Sequence, residues 1–181
     1  MKKEQVERAV AAQIKQILAK DDRAALAKLR RGAGKRPGSM PEIWAYTLGW
    51  LREEDKPDEC AEHAVHVALT LFAVHRQGTE ISGQSGGTLG AAVAKLKATQ
   101  NEDDAKAVIR RFNTAATAET VEELAVHARS LVQLLRARNI DMDYPKFAGE
   151  LYRWQFDREA MRLQWGRDFW KEPKKEQQEE E

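Results

Sequence analysis

Apolar residues recur along this chain at helical rather than strand spacing. Val6, Val10, Ile14 and Ile17 follow one another at three- and four-residue steps through a polar background, which predicts an amphipathic first helix from about Glu4 to Lys20. Asp21 or Asp22 caps a second helix that turns Leu26 and Leu29 inward and ends at Gly32 and Gly34. A basic Gly/Pro/Ser connection over 32–40 leads to Pro41, which starts a short helix carrying Trp44, Leu48 and Leu51. Pro57 and Asp58 open the next, with Ala61, Ala64, Ala68, Leu71 and Phe72 as its stripe and a stop near Gly78.

From Ile81 to Gly90 the chain carries Gly83, Gly86, Gly87 and Gly90 with Ser82 and Ser85, and reads as a mobile surface loop. A short helix follows over 88–98. Asn101 caps another that places Val108, Ile109 and Phe112 on one face and Arg110 and Arg111 on the other. Thr120 begins the clearest pattern, with Val121, Leu124, Ala128, Leu131, Val132 and Leu135 at core spacing. Two closing helices near 145–156 and 157–171 carry Phe147, Leu151, Trp154, Met161, Trp165 and Phe169. No run of β-branched residues alternates with period two. The expected fold is all-α, with about eight or nine helices in two small antiparallel bundles, 1–98 and 99–171, followed by a disordered acidic tail, 172–181.

Charge changes this picture locally rather than globally. The formal net charge is +1, which excludes a uniformly basic surface, but residues 1–98 carry 16 Lys/Arg against 12 Asp/Glu, and 172–181 carry two Lys against five Glu. Lys28, Arg30, Arg31, Lys35 and Arg36 fall in a stretch without an acidic residue that spans a helix end and a flexible loop. Such a run suits a phosphate backbone better than it suits a surface of interspersed signs. Arg129, Gln133 and Arg136 form a polar stripe at i, i+4, i+7, and Arg158 with Arg162 repeats the i, i+4 step. Lys95 adds a cation on the 88–98 helix.

Other candidate chemistry is thinner. Gly83-Gln84-Ser85-Gly86-Gly87 spells Gly-x-Ser-x-Gly, but that turn is a nucleophile elbow only between a buried strand and a helix. Cys60, His63 and His66, with Glu59 and Glu62, lie within two turns of one helix and need a second element to complete a metal sphere. The pairs Asp103/Asp104 and Asp141/Asp143 fall where caps and turns explain them. Neither a catalytic constellation, a cofactor nor a metal is expected. Trp44, Trp50, Trp154 and Trp165 sit at apolar spacing as core or interface anchors, and Trp170 reads as an assembly contact. The lone cysteine, the absence of an apolar run of about 20 residues and the charged N-terminus make a cytoplasmic location the expectation.

Longer stretches carry a resemblance. LAVHARSLVQLLRARNIDMDY from Leu124 to Tyr144, Leu151-Tyr152-x-Trp154-Gln155, and Trp165-Gly166-Arg167-Asp168-Phe169-Trp170 resemble the CasB family, the small subunit of the type I-E CRISPR Cascade complex. Leu29-Arg30-Arg31-Gly32 and HVALTLFAVHRQ from His66 to Gln77 look like that family's N-terminal signatures. Gly149-Glu150 and the acidic tail depart from the pattern.

The resemblance implies a non-catalytic helical subunit present as a pair in each Cascade. It would dock on the backbone filament that holds the guide RNA and beside the large subunit, and help hold the target and displaced DNA strands of the R-loop. Pairing with the guide reads the sequence, so such a subunit needs only cations aimed at backbones. Arg30 and Arg31, in the Leu-Arg-Arg-Gly signature, and then Arg129 are carried over from the family. Lys35, Arg36, Lys95, Arg110, Arg111, Arg136, Arg158 and Arg162 rest on charge and spacing. The alternative is a helical adaptor that joins proteins through Trp165, Phe169 and Trp170 without touching nucleic acid.

Overall fold

A computed structural model describes residues 2–52 and 56–171. The expected acidic tail, 172–181, lies outside the described residues. Nine α-helices and one 3-10 turn account for the regular structure, and no strand occurs among the described residues. The order is α1 (Lys3–Ala19), α2 (Arg23–Gly32), a 3-10 turn at Pro41–Ile43, α3 (Trp44–Thr47), α4 (Glu59–His75), α5 (Leu89–Ala98), α6 (Glu102–Ala116), α7 (Val121–Ala137), α8 (Tyr144–Trp154) and α9 (Arg158–Trp170).

Most helix starts are set by a side-chain oxygen that accepts from an otherwise unpaired backbone N–H. Asp22, Asp58, Thr88, Asn101, Thr120, Asp143 and Asp157 do this for α2 and for α4 through α9. Each such cap contributes about 1 kcal/mol. α4 lies at the centre, and all of its residues from Ala64 to His75 are buried. α2, α7 and α8 pack on it, α1 packs on α8 and α4, and α5 packs on α9 and α6.

Two departures from the expected helical grammar have packing reasons. Gly149 sits where α1 and α8 approach so closely that a Cβ would collide with Glu7. Glu150 points into the core, 5 % exposed, and its Oε2 accepts the Trp165 indole N–H at 2.9 Å, joining α8 to α9.

The glycine-rich stretch is not the mobile loop the composition suggests. The Asp141 carboxylate accepts from Ser82 N (3.0 Å), Ser82 Oγ (2.7 Å), Gly83 N (3.0 Å), Ser85 Oγ (2.8 Å) and Met142 N (2.8 Å). Backbone bonds from Asp143 N to Gly87 O and from Tyr144 N to Gly83 O fasten the same segment. At Gly86, with φ of +89°, a Cβ would strike the Asp141 carbonyl. Burial pushes the Asp141 carboxyl up, but the bonds from Ser82 and Ser85 outweigh it and hold it below its ordinary value. Ser85 is thus committed to a carboxylate rather than poised as a nucleophile.

Two buried titratable groups oppose one another in their pH dependence. Burial pushes Glu150 up to about 7, with Asp168 adding to the shift and Lys3 opposing it. The folded chain therefore keeps a proton that the unfolded chain has lost, and stability falls as pH rises from about 4.5 to about 7. Burial pushes His75, whose Nδ1 lies 2.9 Å from Tyr144 Oη, down to about 4. That stability is present above about 6.5 and is lost as pH falls towards 4. The two effects offset each other where they overlap. Glu150→Gln keeps an acceptor for Trp165 and removes one of them. Denaturant unfolding of Glu150→Gln is expected to gain roughly 1–3 kcal/mol over the parent on going from pH 5 to pH 8. A constant difference across that range contradicts the assignment.

Candidate nucleic-acid interface

The acid-free basic run ends α2 and continues into a loop fastened by hydrogen bonds from several sides. Gly34 adopts φ of +81°, and Lys35 N donates to Gly32 O at 3.0 Å to close the first turn. Below the turn, His66 of α4 is 2 % exposed, and its Nε2 lies 3.2 Å from Gly32 O and 3.1 Å from Lys35 O. Both partners are carbonyls, so Nε2 carries the hydrogen and donates. Burial pushes the His66 pKa below its ordinary value, so the ring holds the loop as a neutral group. Trp44 Nε1 donates to Gly38 O at 3.0 Å from the other side. Trp44 is 44 % exposed, so of the core or interface roles its spacing suggested the core one is excluded, and its indole clasps the loop.

The loop also receives a cation from the far half of the sequence. Arg129 of α7 donates from Nη1 to Ala33 O at 3.3 Å and lies over Gly34. Arg129, Lys35 and Arg36 are thereby gathered at one edge of the molecule, with Arg30 half-buried on the last turn of α2. Lys35 and Arg36 are exposed, and no carboxylate partner is recorded for them among the described residues.

The remaining candidates are placed differently. Arg31 grips Glu42 with Nη2 to Oε2 at 2.7 Å and Nε to Oε1 at 3.3 Å, a two-pronged pair that draws the Glu42 pKa down. Arg136 donates to Gln77 Oε1 at 3.1 Å. Lys95 reaches Gly86 O at 3.4 Å, and Arg110 and Arg111 stand exposed on α6.

Arg158 and Arg162 form a separate group on α9. Arg158 Nη1 bonds Glu119 O at 2.7 Å and Glu119 Oε2 at 3.0 Å. Arg162 bonds Ala116 O at 2.7 Å, Ala118 O at 2.9 Å and Thr117 O at 3.3 Å. Those carbonyls belong to the C-terminal end of α6 and its exit, where a cation also offsets the negative end of the helix dipole.

Sequence reasoning missed two contributors. His66 was legible as a helical histidine, but nothing local indicates that its ring shapes a loop more than 30 residues earlier. Lys97 lies 4.6 Å from the Phe169 ring centroid and 4.3 Å from that of Trp170, a cation–π contact made across the α5–α9 junction. Trp170 itself is 60 % exposed.

Residues 25–170 match the family described as CRISPR-associated protein Cse2. This chain belongs to the Cse2/CasB family. Among solved structures it is similar to CasB from Thermobifida fusca, with 30% identity and a TM-score of 0.75 over 91% of this chain and 97% of that one. A CRISPR-associated protein of the Cse2 family from Thermus thermophilus shares the fold at 24% identity and a TM-score of 0.72, covering 90% of this chain and 96% of that one. A structure of CasB from Thermus thermophilus does so at 22% and 0.71, with the same coverage. A comparison with curated protein sequences finds no match. Family membership makes the chain a subunit of the CRISPR Cascade assembly. The matched span takes in every candidate cation from Arg30 to Arg162. No described helix is long and apolar enough to cross a membrane.

The cations thus divide into those spent on the fold and those left outside it, and stability separates the two kinds. Arg162→Ala strips the carbonyls of half-buried Ala116, exposed Thr117 and buried Ala118 of their donor and is expected to cost about 1–3 kcal/mol in denaturant unfolding. Lys35→Ala and Arg36→Ala are expected to stay within about 0.5 kcal/mol of the parent.

Proposed function

We propose that this Cse2/CasB subunit is non-catalytic and grips nucleic-acid backbones without regard to sequence. Its task is to stabilise the guide RNA–target DNA R-loop and the displaced strand inside a type I-E Cascade. Its partners are then the backbone filament, the large subunit, a second copy of itself and the strands they hold. One observation carries the reading: a neutral buried histidine fixes a loop whose exposed side chains Lys35 and Arg36 form no ion pair among the described residues, and Arg129 from α7 lies beside them. Rigid support beneath free charge lets phosphate contacts form without first ordering the loop.

R-loop formation is nearly balanced, because the heteroduplex formed is about as stable as the duplex replaced. A few phosphate contacts of about 1 kcal/mol each therefore shift it measurably. The remaining candidates, Arg30, Arg31, Lys95, Arg110, Arg111, Arg136, Arg158 and Arg162, extend the cationic surface. Of these Arg30, Arg110 and Arg111 contribute most, since they form no ion pair among the described residues. The exposed Leu163 and Trp170 on α9 support the protein-docking half of the role.

Replacing Lys35 and Arg36 together by Ala is expected to weaken binding of single-stranded DNA alike on every sequence. It is also expected to reduce the slope of log K against log salt by about 2. Anisotropy titrations at several salt concentrations measure both quantities. Parental affinity with an unchanged slope removes this loop from the interface.

A further inference from the structure

Beneath the basic loop runs a groove between α4 and α7. Its larger part, about 320 Å³, has an apolar floor and wall of Val67, Leu71, Val121, Ala125 and Val126, with Lys35 and Arg36 on the rim. A volume of that size lies at the small end of ligand sites, which run from roughly 300 to 1,000 Å³. The smaller part, about 280 Å³, shares Arg36, His66 and Glu122 with the first and is bordered by Glu59, Glu62 and His63. Val126 is 58 % exposed, so the apolar wall opens to solvent at the groove's mouth.

We infer that this groove receives an unpaired base of a single-stranded polynucleotide while Lys35 and Arg36 hold the flanking phosphates. The inference rests on the backbone-gripping reading and adds to it a preference for single strands. A slot that is apolar inside, with Lys35 and Arg36 on the loop side and Glu122 on the α7 side, fits a polymer whose flat rings carry phosphates on one side and N–H donors on the other. An aliphatic side chain from a protein would fill the slot and leave the rim cations unused.

Glu122, common to both parts, fixes the orientation. Its carboxylate repels phosphate but accepts hydrogen bonds, so the phosphates lie on the loop side and the ring edge turns towards α7. Every base has at least one N–H donor on its pairing edge, so an acceptor there serves all four and demands only that the edge be free. The groove therefore tells unpaired from paired strands without telling one letter from another.

Binding of the full chain to three ligands of equal length tests this: a thymidine oligonucleotide, an abasic strand carrying the same phosphates, and a duplex. The abasic strand is expected to bind about tenfold more weakly than the thymidine strand, through loss of the apolar contact. The duplex is expected to lose the same advantage. Val126→Trp, made at an exposed position, obstructs the mouth and leaves the cations in place; it is expected to bring the thymidine strand down to the abasic level. Equal affinities of the parent for thymidine and abasic strands overturn the inference and leave the backbone grip standing, with the groove free for a protein anchor. Failure of all three ligands to bind sinks the backbone grip and this inference with it.

Discussion

A helix buried on every side has to satisfy its polar side chains without water, and in this protein that constraint falls on α4. Between Ala64 and His75 it carries three polar residues, each bonded to a different partner, while one ring nitrogen of each histidine, His66 Nδ1 and His75 Nε2, is buried without a hydrogen bond. Thr70 turns its hydroxyl back to the His66 carbonyl of its own helix, at 2.8 Å. His75 meets the Tyr144 hydroxyl at the start of α8. His66 reaches out of the core to the two carbonyls of the basic loop. The position of α8 and the shape of the exposed cationic loop are thus both answers to the desolvation of one helix. The cationic loop is an outgrowth of the core rather than an ornament on it.

Much of the fold is legible in the sequence because its signals are local. Helix starts coincide with Asp, Asn and Thr residues whose side chains reach two or three positions ahead. The stripe of α7, Val121, Leu124, Ala128, Leu131, Val132 and Leu135, is buried as its spacing predicts. What escapes a local reading depends on distant partners. The glycine-rich stretch reads as a mobile loop because Asp141 lies 56 to 59 residues further on. Gly149 and Glu150 look like poor choices for a helix until α1 and Trp165 are set against them.

The cationic surface follows the same rule. Run 28–36 contains no acidic residue, yet Glu42, eleven positions beyond Arg31, folds back to neutralise it. Glu119 engages both Arg158 and Arg162 from some 40 residues away. In the other direction, Arg129 joins Lys35 and Arg36 only because α7 passes the end of α2, a meeting 96 positions apart along the chain. Charge spacing identifies which residues are basic and on which helix face they ride. Which of them remain free is decided by the tertiary fold, since an arginine offered a carboxylate or an orphan carbonyl nearby will take it.

The Asp141 carboxylate has a consequence for how the molecule comes apart. By joining the start of the 82–85 turn to the lead-in of α8, it closes α5, α6 and α7 into a ring of chain whose two ends are held by polar bonds instead of a covalent link. Opening any of these three helices by itself leaves the ring intact and recovers little chain entropy, while breaking the clasp frees the whole segment at once. The clasp thus sets α5, α6 and α7 apart as one closed stretch of chain within the larger protein.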